Sequence, residues 1–389
     1  MDIYEKAVKL VEQNKGKISI ASKVVVNDME DLSIAYTPGV ARPSKLIHEN
    51  KRLVYQYTSK GNLVAVVSDG TAVLGLGNMG PEAALVVMEG KAILMKAFAD
   101  IDAFPVCLAT TDVEEIIKTV KNLAPTFGGI NLEDISAPRC FQVEDKLTRI
   151  LDIPVFHDDQ HGTAIVVAAA LLNALKVTKK SKDIKIVING AGAAGIATTN
   201  LLQKMGLLNI ILCDTKGPIF KGRKLGMNSY KEEISTRTNG EMVTHINDAL
   251  KQADVFIGLS TANFLNEQMV KSMKTDPIIF ALANPIPEIM PESAKAAGAK
   301  VVGTGRMDYP NQINNLLAFP GVLRGALDSR ASKINWEMKI AAVRAIAEMI
   351  NEEQLHEDYI VPSPLDRMVA QNVASAVYKA AIETGVARI

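Results

Sequence analysis

The sequence predicts an α/β protein of two domains: an N-terminal domain built on a parallel sheet, then a Rossmann-type, doubly wound dinucleotide-binding domain, with C-terminal helices added. Three observations predict this. From residue 62 to residue 156 short apolar runs alternate with helical stretches, the βαβ rhythm of a parallel sheet. A strand at 182–189 runs directly into Gly190-Ala191-Gly192-Ala193-Ala194-Gly195, followed by a helix at 196–205 and a strand at 210–213 ending in Asp214. Two further helical patterns, 334–350 and one capped by Ser363-Pro364 and reaching residue 381, close the chain. The expected boundaries are 1–160, 161–330 and 331–389, the last group packing back on the body.

Bulk composition agrees. A chain of 389 residues can build two cores, and 48% hydrophobic with 22% charged residues describes a globular protein. Lys+Arg and Asp+Glu both total 43, so no net charge points to nucleic acid or an anionic membrane. Cys107, Cys140 and Cys213 lie in or beside apolar runs without a CxxC spacing, which suggests free thiols in a reducing compartment. The first residues have no signal-type apolar core, and the longest apolar run, 164–172, is far short of a membrane span. A cytoplasmic protein is expected. There is no internal repeat and no low-complexity linker.

In chain order, residues 2–14 read as a helix closed by Asn14-Lys15-Gly16. Thr37-Pro38-Gly39 is a turn signal that puts Tyr36 at the end of an extended segment. The plain reading is a half-buried tyrosine packing under the turn; the sharper one is a positioned phenol, protonated near neutrality and able to donate a proton. The strand at 62–67 leads to a loop containing Gly75-x-Gly77-x-x-Gly80. That formal dinucleotide pattern is discounted because no strand enters Gly75 directly, leaving a backbone-rich loop near a site. In the helix at 81–98, Glu82, Glu89 and Lys96 recur every seven residues on one wet face. Lys91, about 200° around the helix from Glu89, falls on the apolar side. It either snorkels or works: burial can lower a lysine pKa by about 3–5 units and make it a base, and Gly90 beside it leaves room for close approach.

A strand at 104–109, a helix at 112–124 and a strand at 127–132 then present Glu133-Asp134, with Arg139 and a helix at 141–151 following. The strand at 154–156 ends in His157-Asp158-Asp159-Gln160-His161, ahead of an apolar helix at 164–175. Glu133, Asp134, Asp158 and Asp159 therefore all sit where parallel strands should end. One such acid alone would be read as a helix first-turn residue. Two clusters of the same design favour a metal, because carboxylates gathered in a crevice repel unless a cation compensates. Oxygen ligands suit Mg²⁺ or Mn²⁺. His157 and His161 read as hydrogen-bond partners rather than ligands.

In the second domain, Gly190 allows the tight turn, Gly192 lets the backbone approach a pyrophosphate, and Gly195 lets the helix pack on the sheet. The helix start, with Ala193 and Ala194, faces the phosphates. Asp214 should accept hydrogen bonds from a ribose 2′-hydroxyl, favouring NAD over NADP, although Lys216 leaves room for NADP. Further strands at 253–260, 277–283 and 301–306 put Asn284 and Asn315 at crevice-side ends, where they form turns or offer amides to a carboxylate.

Taken in this order, the segments Ala35-Tyr36-Thr37-Pro38-Gly39-Val40-Ala41, 68–80, Glu89-Gly90-Lys91, Asn131-Leu132-Glu133-Asp134, 157–163, 190–195 and Ala283-Asn284-Pro285 resemble the malic enzyme family in its compact prokaryotic form. The resemblance runs from about residue 20 to the C-terminal helices. It implies divalent-metal-dependent oxidative decarboxylation of (S)-malate to pyruvate and CO₂ with reduction of NAD(P). It implies Lys91 as the base for the C2 hydroxyl, Tyr36 as the acid that protonates C3, and Glu133, Asp134 and Asp159 as metal ligands. Asp158 would partner Lys91, while Asn284 and Asn315 would contact substrate, Asn284 together with the nicotinamide. A homodimer is implied too, with no allosteric extensions. In one departure, the large eukaryotic relatives place an arginine where this chain has Thr71-Ala72. Thr71, Arg139 or an arginine of a second subunit are the candidates for the second carboxylate. Two other classes compete. A metal-independent amino-acid dehydrogenase would leave the acidic clusters unexplained, and a non-catalytic NAD-sensing module would have no reason to place Lys91 on an apolar face.

Overall fold

The computed structural model describes residues 2–389 and contains two sheets. The first consists of β1 (Leu63–Ser68), β2 (Asp102–Cys107), β3 (Gly129–Leu132) and β4 (Val155–His157), all parallel in the order β2-β1-β3-β4. The second consists of β5 (Ile186–Asn189), β6 (Ile210–Asp214), β7 (Gly217–Pro218), β8 (Val255–Gly258), β9 (Ile278–Ala281) and β10 (Val301–Thr304). Its order is β10-β9-β8-β5-β6-β7, parallel except for the short β7. In each sheet the chain reverses direction beside its first strand, between β1 and β3 and between β5 and β8. Such a switch point opens a crevice at the carboxyl ends of the strands.

Alternation builds the second sheet. Ile186, Ile188, Ile257 and Phe280 face one buried cluster, while Val187, Ile211, Phe256 and Ile279 face another. Both faces are covered, so the strands read as continuous apolar runs. The first cluster also takes in Val64–Val67 of β1 and the body of the helix Asp158–Thr178, so one core runs beneath both sheets. That helix is long and apolar enough to cross a membrane by composition, yet it is buried along most of its length. It leaves β4 without a linker and packs against Ala193–Lys204 and Trp336–Ala347. The helices Phe319–Asp328, Trp336–Ala347 and Arg367–Glu383 pack on one another, and Phe319–Asp328 also packs on Pro81–Ala99.

Three expectations are corrected. Residues 32–40 are not extended: Asp28 accepts a hydrogen bond from Asp31 N–H and starts the helix Met29–Ala35, whose first turn is acidic. Tyr36 caps that helix and is 67% exposed, so it does not pack under the turn. The helix after β4 begins at Asp158, not six residues later, because Asp158 and Asp159 suit a helix N-terminus. The last helix is capped by Asp366, not by Ser363-Pro364.

Candidate active site

Strand register assembles the site. Val67, Leu132 and His157 lie level across β1, β3 and β4, so Glu133 and Asp158 leave the sheet side by side, next to Ser68 at the end of β1. Helix Pro81–Ala99 buries a face made of Ala84, Met88, Ala92 and Met95, and Lys91 lies on it, 8% exposed. Its Nζ reaches Asp158 Oδ2 at 2.6 Å and Glu133 Oε1 at 2.9 Å, and stands 4.4 Å from the centre of the Phe319 ring. Lys91 therefore does not snorkel. Burial alone would lower its pKa, but Asp158 and Glu133 more than reverse that and hold it above the usual lysine range. The expected lowering of its pKa by burial is corrected accordingly.

Asp158 Oδ2 also accepts the side-chain amide of Asn315 at 2.6 Å. Its carboxylate lies so close over Gly162 that a Cβ there would stand 1.8 Å from Asp158 Oδ1. Glu133, Asp134 and Asp159 each bring a carboxylate oxygen within 4.8 Å of the others. Asn131 donates to Glu133 Oε2 at 2.8 Å, and Asp134 N–H donates to Asp159 Oδ2 at 2.8 Å. Burial, with mutual repulsion, raises Glu133 to about 7, Asp134 to about 8 and Asp159 to about 6. Asp134 Oδ2 is buried without a hydrogen-bond partner. Three converging carboxylates with an orphaned oxygen fit a hard divalent cation. The histidines stay out of this group. His161 Nε2 lies 2.7 Å from Glu144; among the described residues neither ring nitrogen of His157 makes a hydrogen bond, its Nδ1 standing 3.7 Å from Asp159 Oδ2.

Other expected residues are placed differently. Thr71 donates its hydroxyl to Asp69 at 2.6 Å and accepts from Ser136 N–H at 3.0 Å and Arg139 at 2.9 Å. Arg139 donates also to Asp69, Ser136 and the Thr111 carbonyl. Both residues thus brace Asp69 and the glycine loop, and the Thr71 hydroxyl hydrogen is already engaged by Asp69. Among the described residues, the Tyr36 hydroxyl bonds to no side chain of the carboxylate cluster; it lies on an exposed N-terminal segment. The loop at 70–80 is no dinucleotide turn: it caps β1, and Ala72 N–H donates to the Asp134 carbonyl.

The dinucleotide cleft lies at the end of the second sheet and is lined by Asn189, Gly190, Gly192, Asp214, Lys231, Ser260 and Phe264, among others, with a volume of about 510 Å³. Gly190 has φ +126°, and a Cβ on Gly195 would stand 1.6 Å from the Gly190 carbonyl oxygen, so the first and third glycines act as expected. Asp214 is not a free acceptor. Arg223 grips both its oxygens and Lys231 adds a third contact at 2.6 Å. Burial raises its pKa, but these cations prevail and hold it at about 2. With two cations on the carboxylate, the basis for preferring NAD over NADP weakens. Asn284 stands beside Gly305, where an added Cβ would come within 2.7 Å of its amide nitrogen. The sequence reading missed Asn131, Asp69, Phe319, Arg223 and Lys231. Only Asn131 carried a local signal, as a polar residue inside an apolar strand.

Fold and site together define a dinucleotide-binding α/β enzyme with a carboxylate cluster suited to a divalent cation. Residues 15–148 match the family model "Malic enzyme, N-terminal domain" and residues 160–382 match "Malic enzyme, NAD binding domain". The chain belongs to the malic enzyme family. It is 60% identical to the bifunctional malic/malolactic enzyme of Bacillus subtilis, covering 100% of this chain and 95% of that one. It is 56% identical to the NAD-dependent malic enzyme of Geobacillus stearothermophilus, covering 96% of this chain and 78% of that one. The crystal structure of the Thermotoga maritima NAD-dependent malic enzyme superposes with a TM-score of 0.93 at 50% identity, covering 97% of this chain and 99% of that one.

Two outcomes are expected here. At pH 8, Mn²⁺ raises the melting temperature by a few degrees at a hundredfold excess over its dissociation constant. Asp134→Asn removes that shift while raising the melting temperature of the chelator-treated protein, since it deletes a buried charge; a variant that keeps the full Mn²⁺ shift would rule Asp134 out as a ligand. Second, the Asp214 pKa is depressed in the folded state, from 3.8 to about 2. Its stabilisation is therefore present above pH 4 and fades as pH falls towards 2. Asp214→Asn should cost about 3 kcal/mol in urea unfolding at pH 7, narrowing by pH 3. An equal difference at both pH values would contradict the ion-pair account.

Proposed function

We propose that this chain catalyses the oxidative decarboxylation of (S)-malate to pyruvate and CO₂ with reduction of NAD or NADP. The observation that carries the reading is the meeting of Lys91, Asp158 and Asn315 at the edge of the Glu133, Asp134 and Asp159 cluster. Lys91, held protonated at rest by Asp158 and Glu133, would first pass a proton to Asp158 and then take the C2 hydroxyl proton as hydride leaves C2 for a bound nicotinamide. Asp158, raised to about 7 chiefly by burial, is the proton acceptor beside it. Glu133, Asp134 and Asp159 would hold Mg²⁺ or Mn²⁺, which when bound polarises the C2 oxygen and stabilises the enolate left by CO₂ loss. Asn284 and Asn315 orient the substrate, Asn284 together with the nicotinamide, and Tyr36 returns a proton to C3. Gly190, Gly192, Ala193, Ala194 and Gly195 cradle the pyrophosphate. Residues 1–160 supply Lys91, Tyr36 and the metal groups, 161–330 the cofactor cleft with Asn284 and Asn315, and 331–389 the supporting helices.

A homodimer belongs to this reading. The helices Ile3–Asn14, Met29–Ala35 and Ala41–Glu49 bury no residue, and Val24, Val25, Met29, Ile34 and Tyr36 are exposed along that segment. So apolar an arm calls for cover by a second copy, and Tyr36 lies on it. The three unpaired cysteines suit a reducing, cytoplasmic setting.

The deciding assay mixes (S)-malate, Mn²⁺ and NAD or NADP, follows reduced nicotinamide and identifies the carbon product. Pyruvate in step with NADH, abolished by a chelator, is expected. Oxaloacetate as the end product would overturn the roles of Tyr36 and the metal. Lactate without net NADH would instead indicate malolactic activity, a word that the name of the Bacillus subtilis relative carries. Lys91→Ala should lower turnover roughly a thousandfold while retaining NAD binding; unchanged turnover would remove Lys91 from the chemistry. Light scattering should show a dimer, and Val25→Asp should yield monomers that bind NAD but do not turn over malate. A fully active monomer would end the dimer proposal.

A further inference from the structure

Glu288 is an acid with no exposed surface, and it lies between the loop of Ser260, which lines the dinucleotide cleft, and the loop of Ala283. Its Oε1 accepts from Ser260 N–H at 3.1 Å and its Oε2 from Ala283 N–H at 3.0 Å. Ser260 follows β8, and its hydroxyl oxygen accepts the side-chain amide of Asn189 at 2.7 Å, just before Gly190. Ala283 follows β9 and immediately precedes Asn284. The backbone closes the same clasp, since Asn263 N–H donates to the Pro287 carbonyl at 3.0 Å and Leu265 N–H to the Glu288 carbonyl at 2.9 Å. Space for the carboxylate is built in at Gly258, where a Cβ would stand 2.3 Å from Glu288 Cδ.

Among the described residues no cation pairs with Glu288; backbone amides alone answer its charge. Burial raises its pKa, and the amides of Ala283 and Ser260 oppose the rise. A buried acid of this kind is costly as a filler of space. What it provides is a fixed distance between the loop that lines the cleft through Ser260, Thr261 and Phe264 and the loop that carries Asn284.

We infer that Glu288 is a positioning residue for hydride transfer: by clasping the Ser260 and Ala283 amides it sets Asn284 against the nucleotide-binding loop. The inference rests on the proposed contact of Asn284 with substrate and nicotinamide. Glu288→Gln keeps one acceptor oxygen and turns an NH₂ group towards the other amide. It should lower kcat by about ten- to a hundredfold and weaken NADH binding, read by nicotinamide fluorescence without any malate turnover, by about tenfold. ADP affinity should stay within about twofold. Because Glu288 acts through Asn284, the double variant E288Q/N284A should be no slower than N284A. Gly258→Ala, which displaces the carboxylate but keeps its charge, should lower kcat in the same sense, and it decides the question if E288Q does not fold. Multiplicative losses in the double variant, or a wild-type rate and NADH affinity in E288Q, would overturn the inference. N284A at the wild-type rate would instead overturn the Asn284 contact, and the inference with it.

Discussion

Four carboxylates crowd around one ammonium in a site that is nearly closed to water, and the rest of the structure answers to that constraint. Glu133, Asp134 and Asp159 have oxygens within 4.8 Å of one another. At an effective dielectric constant near 20, a pair at that distance costs roughly 3 kcal/mol. Lys91 offsets Glu133 and Asp158 directly, and backbone and amide donors offset part of the remainder. Such a cluster is tolerated only where the surrounding fold holds it rigidly. Accordingly Asp134 adopts φ 54° and Leu74 φ 46°, both on loops tied down at the strand ends.

That rigidity comes from alignment. Parallel pairing delivers Glu133 and Asp158 at the same level, and the helix that follows β4 keeps Asp158 and Asp159 in its first turn, where its dipole favours them. The same helix leaves β4 and packs against Ala193–Lys204, the helix that follows the glycine turn, so the carboxylates and the cofactor cleft share a single support. The helix Phe319–Asp328 and the turn before it complete the site rather than merely cover it. Phe319 closes over Lys91, and Asn315, just ahead of it, holds Asp158.

The cofactor end handles buried acids in two other ways. Asp214 is neutralised by cations that arrive from nine and seventeen residues downstream. Glu288 is met by backbone amides from two loops. Cations offset the charge of Asp214, whereas amides fix where loops lie, because a hydrogen-bonded amide has direction and a point charge has little.

The βαβ rhythm, the glycine turn and the acidic strand ends were all legible in the chain, because each depends on spacing along the backbone or on a residue that alone fits its local geometry. Gly190 and Gly195 are of this kind, as are Glu133 and Asp159 at the ends of apolar runs. The periodicity of helix Pro81–Ala99 even separated Lys91 from the wet face. What Lys91 does once buried was not legible, since its pKa depends on Asp158 and Glu133, which lie 67 and 42 positions away in the chain. Nor were the struts of Thr71 and Arg139, the ion pairs on Asp214, or the exposure of Tyr36. Local propensity and spacing are properties of neighbours in sequence, and they determined the fold and the types of group the site contains. Charge state, hydrogen-bond partners and exposure are properties of neighbours in space, and only the tertiary structure decided them.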